Sequence, residues 1–423
     1  MQLTKTLIPM ALAAATCMLP SNLVAQQSGA QPEGARSMGV ATGNLIVHAA
    51  KLHTVSGEML TDAIVVIRNG KIEAIGPAGS TLQPADFEII KVPVATPGLI
   101  DAHTVVGLAG YLNQKQDQDQ LEKSEPMQPE LRALDAYNAR EPLIEWVRSF
   151  GVTTMHTGHG PGTLISGETM IVKTRGGTVD EAMIVKRAMI AATLGDSSQA
   201  HDGKSPGTRG KQVAMLRELL VKGQGYEAKK TADKDVDLDL RMEAVGRLLR
   251  KELPLMVTAN RHQDILAAIR LAREFDLRLV LDGAAEAYLL LDEIKQSGVS
   301  VIVHPTMQRA TGETENLSME TAAKLQAAGI PFAQQSGFES YVPKTRVVLF
   351  EAAISAANGL SREQALYSIT LGAAQLLGID KRVGSLEIGK DGDLAFYDGD
   401  PFEYTSHCLG TVIEGHLVST KQR

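Results

Sequence analysis

The stretch TPGLIDAHTVVG, residues 96–107, decides the fold prediction for this 423-residue chain. It is an apolar run that ends in Asp101 and His103, which occupy alternate positions and so point to the same face of a strand. In a barrel of parallel strands, catalytic side chains lie at the mouth where the strands end. Val105 stands two residues further on, where another ligand on that face would be expected. The stretch therefore indicates either the first strand of a metal site or the remains of one.

Beyond this strand, apolar runs alternate with segments of helical periodicity. The helical REPLIEWVRSF (140–150) precedes the strand-like GVTTMHTG (151–158), and LPLMVTAN (253–260) precedes the helical RHQDILAAIRLAREFD (261–276). About eight such units over roughly 280 residues predict an α/β fold of the (β/α)8 TIM-like barrel type. An open, doubly wound sheet is the alternative, although no Gly-x-Gly-x-x-Gly follows a strand to favour it.

Both ends of the chain contain short β-type runs separated by turns. RNGK at 68–71 predicts a hairpin, because Asn-Gly accepts the positive φ angles of a type I′ turn. The segments GSLEIGKDGDLAFYDGDP (384–401) and HCLGTVIEGHLV (407–418) have the same pattern. We predict that the two ends pair into one small β-sandwich.

The N-terminus has the pattern of a secretory signal. Lys5 precedes an apolar run, polar residues follow it, and cleavage is predicted after Ala25. The apolar run is too short for a comfortable membrane span, which favours a signal over the alternative of an uncleaved anchor helix. We expect a periplasmic or secreted protein with no membrane association after signal removal. The predicted parts are a signal peptide at 1–25, a flexible linker at 26–42, a composite β-sandwich of 43–97 with 382–423, and a barrel at 98–381.

Composition narrows the classes of partner. The chain is 44% hydrophobic with a net charge of −7, which suits a large core. No long Lys/Arg run is interleaved with aromatic residues, so we expect no nucleic-acid partner. Of the two cysteines, only Cys408 lies outside the predicted signal. The exported protein would therefore contain no internal disulfide and must be stabilised by its core.

Three motifs in combination resemble the amidohydrolase superfamily, in its imidazolonepropionase-like branch. They are PGLIDAH (97–103), GVTTMHTG (151–158) and VGSLEIGKDGDLAFYDGDPF (383–402). The resemblance implies a metal-dependent barrel flanked by a β-sandwich made from both chain ends. It also implies hydrolysis of C–N bonds in small amides, cyclic amides or peptide-like molecules by metal-bound hydroxide. A homodimer is an expectation from the family only.

Most metal-ligand positions that the resemblance implies hold other residues. His103 matches the first histidine of the first-strand pair. The substituted positions are Val105 on the first strand, Thr258 and Asn260 on the fifth, Gly283 on the sixth, and Gln335, Ser336 and Gly337 on the eighth. For the family's bridging lysine carbamate, Lys173 and Lys186 are the candidates. Because catalytic zinc usually keeps three protein ligands, we predict a degenerate metal site with no metal or one zinc ion.

The remaining polar residues suggest a smaller site at the barrel mouth. Five histidines lie at or near predicted strand ends: His103, His156, His159, His262 and His304. We predict His103 and His156 as acid–base residues and Asp282 as the group that orients a water. His103 and His159 are the candidate zinc ligands. Each histidine has an alternative interpretation as a hydrogen-bonded core, loop or helix-start residue.

The segment 113–142 follows the first strand and is long, polar and acidic. It should lie over the barrel mouth. It is either a lid that carries Asp117, Asp119 and Arg132 or a solvated surface excursion.

Two functions from different classes follow from these observations. The first is an exported hydrolase of C–N bonds with a degenerate metal site. The second is a catalytically inactive pseudoenzyme whose barrel mouth binds a small ligand or a partner, because a fold by itself does not transfer function. A conventional metal enzyme whose ligands lie at other positions is a third interpretation.

Overall fold

A computed structural model describes residues 43–112, 114–200, 203–232, 236–338 and 346–423. The predicted signal peptide and linker lie outside these ranges. None of the helices within them combines the length and apolar character that a membrane crossing needs.

The described residues form a mixed α/β fold. Its strands are β1 Leu45–Leu52, β2 Leu60–Arg68, β3 Lys71–Pro77, β4 Glu88–Pro97, β5 Leu99–Thr104, β6 Val152–Thr157, β7 Ile165–Glu168, β8 Met170–Lys173, β9 Met183–Val185, β10 Ile190–Thr193, β11 Leu255–Thr258, β12 Leu279–Gly283, β13 Ser300–Val303, β14 Phe332–Gln334, β15 Leu394–Tyr397, β16 Cys408–Ile413 and β17 His416–Ser419. Its helices are α1 Ala133–Ala136, α2 Pro142–Arg148, α3 Val179–Ala182, α4 Arg209–Ala232, α5 Leu240–Leu249, α6 His262–Glu274, α7 Leu291–Ser297, α8 Thr321–Ala328, α9 Val348–Ala357, α10 Arg362–Ser368 and α11 Leu371–Leu376.

One seven-stranded sheet joins the two ends of the chain. Its order is β17-β16-β15-β4-β1-β2-β3, and β4 pairs with β15 in antiparallel register. The predicted hairpin between β2 and β3 is present, with φ of 51° at Asn69 and 78° at Gly70. The pairing gives a single sheet, so a sandwich of two packed sheets stays a prediction.

The remaining strands form a six-stranded sheet, β14-β13-β12-β11-β10-β7, and a four-stranded sheet, β5-β6-β8-β9. Strands β10 to β14 are parallel, and so are β5 and β6, as the strand–helix alternation predicts. The two sheets meet where Gly337 N donates to His103 O at 3.1 Å. This arrangement is TIM-like, but among the described residues the pairing does not form one closed ring. The closed (β/α)8 barrel therefore stays a prediction.

An apolar layer made by alternate strand residues fills the space between these sheets. Its strand members include Ile100, Ala102, Ile171, Ala191, Met256, Val280, Ile302 and Ala333. Two residues beyond Met256, Val280 and Ala333 come Thr258, Asp282 and Gln335, so the next layer is polar. The pairing of β5 with β6 shifts register between Asp101 and Thr104. His103 lies within this irregular stretch and contacts Asp282 of the polar layer.

Lys173 ties β8 to the chain's C-terminal part. Its buried Nζ lies 2.9 Å from Asp391 Oδ2 and also pairs with Asp393. Burial of Asp391 opposes its charge, but Lys173 and the neighbouring cations lower the pKa of Asp391 to about 2. The amine of this carbamate candidate is thus engaged in ion pairs, and the other candidate, Lys186, is exposed.

Replacing Lys173 with Met should destabilise the protein by about 3–5 kcal/mol, because it leaves the buried carboxylate of Asp393 without its cation. The free energy of unfolding from urea titration measures the effect. Lys186→Met is the matched control and should change stability by less than about 0.5 kcal/mol. Similar losses in both variants would contradict the structural role of Lys173.

Candidate functional site

A buried carboxylate–imidazole pair lies at the centre of the polar layer. Asp282 Oδ1, at the end of β12, lies 3.0 Å from Nδ1 of His103 on β5. Both residues are 2% exposed. His103 Nε2 is buried and has no hydrogen-bond partner among the described residues. The carboxylate therefore holds the proton on Nδ1 and leaves the Nε2 lone pair available as a base.

Asp282 accepts two further hydrogen bonds within the polar layer. Thr258 Oγ1 donates to Oδ2 at 2.6 Å, and Gln335 Nε2 donates to Oδ1 at 2.9 Å. Burial would raise the pKa of Asp282, but the charge of His103 and these bonds outweigh it and lower the pKa. Asp282 is thus a stable anion whose contacts orient His103. Its predicted role in orienting a water stays a prediction.

Asp101 is a second carboxylate beside His103. Burial raises the pKa of Asp101 to about 6, against hydrogen bonds from the hydroxyl and backbone N–H of Ser336 and from the backbone of His103. Burial also opposes the charge of His103, but Asp282 and then Asp101 outweigh burial and raise the pKa of His103. The two carboxylates therefore stabilise the protonated imidazole relative to that of an ordinary histidine.

His156 lies beside His103, with ring centroids 5.7 Å apart. Its Nδ1 is 2.7 Å from the carbonyl of Ala102, and its Nε2 is 2.6 Å from Oγ1 of Thr169. Burial, followed by repulsion from His103, lowers the pKa of His156 to about 3. The ring is neutral and both nitrogens are engaged, which matches the core-residue interpretation. Its predicted acid–base role is not tested by these contacts.

His159 follows β6 in a loop, and its side chain is buried. Burial lowers its pKa to about 4, and neither ring nitrogen has a hydrogen-bond partner among the described residues. The ring packs on the backbone of Gly167, where an added Cβ would lie 2.6 Å from Nε2. Unpartnered buried nitrogens are costly, so a bound polar group would supply the bonds that the protein does not.

The other two strand-end histidines bond elsewhere. His304 Nδ1 lies 3.1 Å from the carbonyl of Pro305, and Nε2 lies 3.3 Å from Thr321 Oγ1. His262 begins α6, half-exposed, with Nδ1 2.8 Å from Glu286. These partners do not include His103 or Asp282, so the described structure does not bring His304 or His262 into the pair's hydrogen-bond network.

Val105 contributes an apolar wall where the resemblance implies a second histidine. A Cβ on Gly160 would lie 3.4 Å from Val105 Cγ1 and 3.2 Å from Phe338 Cδ1. The side chains of Val105 and Phe338 therefore lie against the same glycine. Together they make part of the mouth apolar.

The predicted lid segment packs against the loop that carries His159. Gly160 N donates to Gln120 O at 2.8 Å, and Met127 forms an isolated bridge with Ile165. Arg132, one of the residues that the predicted lid carries, forms an exposed ion pair with Asp135 at 2.7 Å. The described part of the segment therefore contacts the loop after β6 and strand β7, and its role as a lid stays a prediction.

Thr258 and Gln335 are site residues that sequence reasoning missed. Both stand at positions where the resemblance implies metal-site groups, and the sequence indicated only that those groups are absent. The useful signal was their polarity: both can donate a hydrogen bond, and both lie two residues beyond an apolar strand position.

Comparisons with known proteins agree with the fold. Residues 336–419 match the model of the amidohydrolase family. The amidohydrolase tasK of Hapsidospora irregularis is 23% identical over 72% of this chain, which spans only 34% of that protein. The imidazolonepropionase of Rhizobium rhizogenes is 22% identical, with 81% of this chain and 88% of that protein covered. A solved amidohydrolase from Thermotoga maritima MSB8 matches with a TM-score of 0.85 and 29% identity, over 89% of this chain and 100% of that one. Together these matches support the amidohydrolase superfamily for this chain.

A metal ion is found in at least one structural neighbour. An adenosine deaminase from Xanthomonas campestris with bound zinc matches with a TM-score of 0.51 and 16% identity, over 88% of this chain and 92% of that one. In the described part of this chain, no group of three or more His, Cys, Asp or Glu is placed to hold a metal ion. His103 offers one free nitrogen and His159 two, and the amine of Lys173 is engaged. This donor set does not fit a centre that needs three protein ligands.

Removing the charge of Asp282 should lower the pKa of His103, because burial then dominates. NMR titration of selectively labelled histidine in Asp282→Asn measures this. Thr258→Val removes one bond and keeps the charge, so it serves as the control and should retain a raised pKa. An unchanged pKa in Asp282→Asn would show that the pair does not set the protonation of His103.

The raised pKa of Asp101 should make the native state less stable as pH rises. The unfolded carboxyl loses its proton near 3.8 and the folded one near 6, so between these values the folded state binds more protons. We expect the stability of wild type relative to Asp101→Asn to fall by about 3 kcal/mol between about pH 4 and about pH 6. Urea unfolding of both proteins across this range measures it, and a constant difference would refute the shift.

Proposed function

We propose that this protein is an exported amidohydrolase-superfamily hydrolase that cleaves the C–N bond of a small amide, cyclic amide or peptide-like molecule. Its metal site is degenerate, and His103 is the acid–base residue. One observation carries the proposal: Asp282 lies 3.0 Å from His103 Nδ1 in a buried pair, while Nε2 has no partner among the described residues. Such a pair is the base-and-orienter unit of many hydrolases.

The substituted positions support a rebuilt site. Thr258 and Gln335 stand where the resemblance implies metal-site groups, and both donate to Asp282. With His103, three donors surround a carboxylate that is buried. These hydrogen bonds offset the cost of burying the charge of Asp282, which a nearby metal cation would otherwise offset.

The chemistry follows from the free nitrogen of His103. Nε2 takes a proton from water as the water oxygen adds to the carbonyl carbon. The C–N bond breaks as the tetrahedral adduct collapses, and His103 returns the proton to the leaving nitrogen, which gives a carboxylic acid and an amine. Asp282 stabilises the imidazolium while that charge exists. Because the base must be neutral, activity should rise with pH through the raised pKa of His103.

Unpartnered buried atoms near the mouth support an uncharged polar ligand. They include both ring nitrogens of His159, Oε1 of Gln120 and Oγ1 of Thr163. The segments that carry them are adjacent, since Gly160 N donates to Gln120 O. A neutral imidazole, an amide oxygen and a hydroxyl can accept from and donate to an amide group without needing a formal charge on it.

A pseudoenzyme is the second candidate, and a specific contact favours it. Val105 and Phe338 lie against Gly160 at the mouth, and both oxygens of Asp282 are engaged by protein donors. An apolar wall and a satisfied carboxylate suit a site that binds a small ligand or a partner without turnover.

The wider setting is part of the proposal. We propose a closed (β/α)8 barrel with a composite β-sandwich, supported by the meeting of β5 with the residues after β14 and of β4 with β15. We further propose that the protein is periplasmic or secreted, free of the membrane and of nucleic acid, and a homodimer. The signal-like N-terminus supports export, and the family resemblance supports the dimer.

Turnover with and without metal separates these functions. Protein purified with zinc present is analysed for metal and assayed on cyclic amides and dipeptides, before and after chelation. We expect turnover that survives chelation and falls about 10²–10⁴-fold in His103→Gln. His262→Gln, at a half-exposed histidine outside the pair's network, is the control and should retain activity.

Two other outcomes would replace the proposal. Thermal shifts from the same amides without turnover would identify the pseudoenzyme. A tightly bound zinc that is lost in His103→Ala, together with activity abolished by chelation, would identify a conventional metal enzyme.

A further inference from the structure

A polar cavity of about 420 Å³ lies where the seven-stranded sheet meets the end of β8. Its charged lining includes Lys71, Arg175, Arg382, Asp391 and Glu414. Arg175 comes two residues after β8, whereas Lys71 begins β3 and Glu414 lies in the turn between β16 and β17. Chain segments far apart in sequence therefore bring three cations to one cavity.

The carboxylates in this lining are saturated. Asp391 Oδ1 accepts from Lys71 at 2.6 Å, and its Oδ2 accepts from Arg382 at 2.7 Å and Lys173 at 2.9 Å. Glu414 accepts from Arg382 at 2.9 Å through Oε1 and from Arg175 through Oε2. Each side-chain oxygen of these two residues thus has a cationic donor.

The cations retain more donors than these bonds use. A guanidinium carries five N–H groups and an ammonium three. Arg175 Nε is buried without a hydrogen-bond partner among the described residues. Lys173 and Asp393 belong to the same network of ion pairs. The network then contains four cations and three carboxylates, so its net charge is +1; the members are Lys71, Lys173, Arg175 and Arg382 with Asp391, Asp393 and Glu414.

We propose that this cavity is a binding site for a small oxyanion, a phosphate or carboxylate group, separate from the barrel mouth. The planar N–H fork of arginine matches the oxygens of either group, and Arg175 and Arg382 bring two such forks to the lining. The site goes beyond the proposed function and does not depend on it, since none of its residues contributes to the His103–Asp282 pair.

Binding here would strengthen the junction between the sheet and the barrel strands. Lys173, the last residue of β8, shares Asp391 with Lys71 and Arg382. An anion held by Arg175 and Lys71 would therefore connect β8 and the N-terminal strands through a second bridge. Because only the folded chain forms the cavity, the ligand should raise Tm.

The test titrates the purified protein with sodium phosphate and, separately, sodium succinate, against sodium chloride at matched ionic strength. Isothermal calorimetry and thermal melting are the readouts. We expect saturable binding and a rise in Tm of about 2 °C at roughly ten times Kd. The probe that saturates at the lower concentration assigns the class of oxyanion.

Arg175→Gln should weaken that binding by about tenfold or more. Arg217→Gln is the matched control. Arg217 lies on α4, outside the lining of the cavity, and forms an exposed ion pair with Glu274 of α6 at 2.7 Å. Lys71→Gln tests the same cavity and replaces Arg175→Gln if that variant does not fold. No saturable binding of either probe, or equal affinity in wild type and the cavity variants, overturns the proposal.

Discussion

The buried carboxylate of Asp282 is the constraint on which the site depends. A charge removed from water must be paired or hydrogen bonded, or it costs several kcal/mol. His103, Thr258 and Gln335 meet that requirement from three different strands or strand ends. The arrangement aligns the strand ends at the mouth and also fixes which nitrogen of His103 is free. One set of bonds thus compensates the buried charge and orients His103.

Lys173 carries a second buried charge, which must likewise be paired, and here the pairing connects distant parts of the chain. Its ion pairs with Asp391 and Asp393 connect β8 to a segment about 220 residues later in the chain. At the strand ends, the buried charge of Asp282 is paired with His103, whose Nε2 has no hydrogen-bond partner among the described residues and can therefore contact a ligand. At the sheet junction, both oxygens of the Asp391 carboxylate accept from cations, which suits stability, and the surrounding cations keep spare donors.

Local pattern was sufficient for much of the fold. The Asn69-Gly70 turn, the parallel strands β10 to β14 and the pairing between the two chain ends follow from turn chemistry and from the alternation of strands and helices. The pattern also placed His103 at a strand end. It did not reveal that Lys173, a candidate for carbamylation by strand context, uses its amine in ion pairs. Those partners lie in a distant part of the sequence.

The sequence alone indicated the superfamily and the strand that carries His103, and it predicted that Thr258 and Gln335 stand in place of metal-site groups. Their contacts became visible only in the folded chain. The tertiary structure showed that Thr258 and Gln335 donate to Asp282, and that His156 has both nitrogens engaged while His103 has one free. The physical reason is that periodicity reports which face a residue is on. A hydrogen bond also depends on which distant side chain arrives within about 3 Å, and that is settled only when the strands pack.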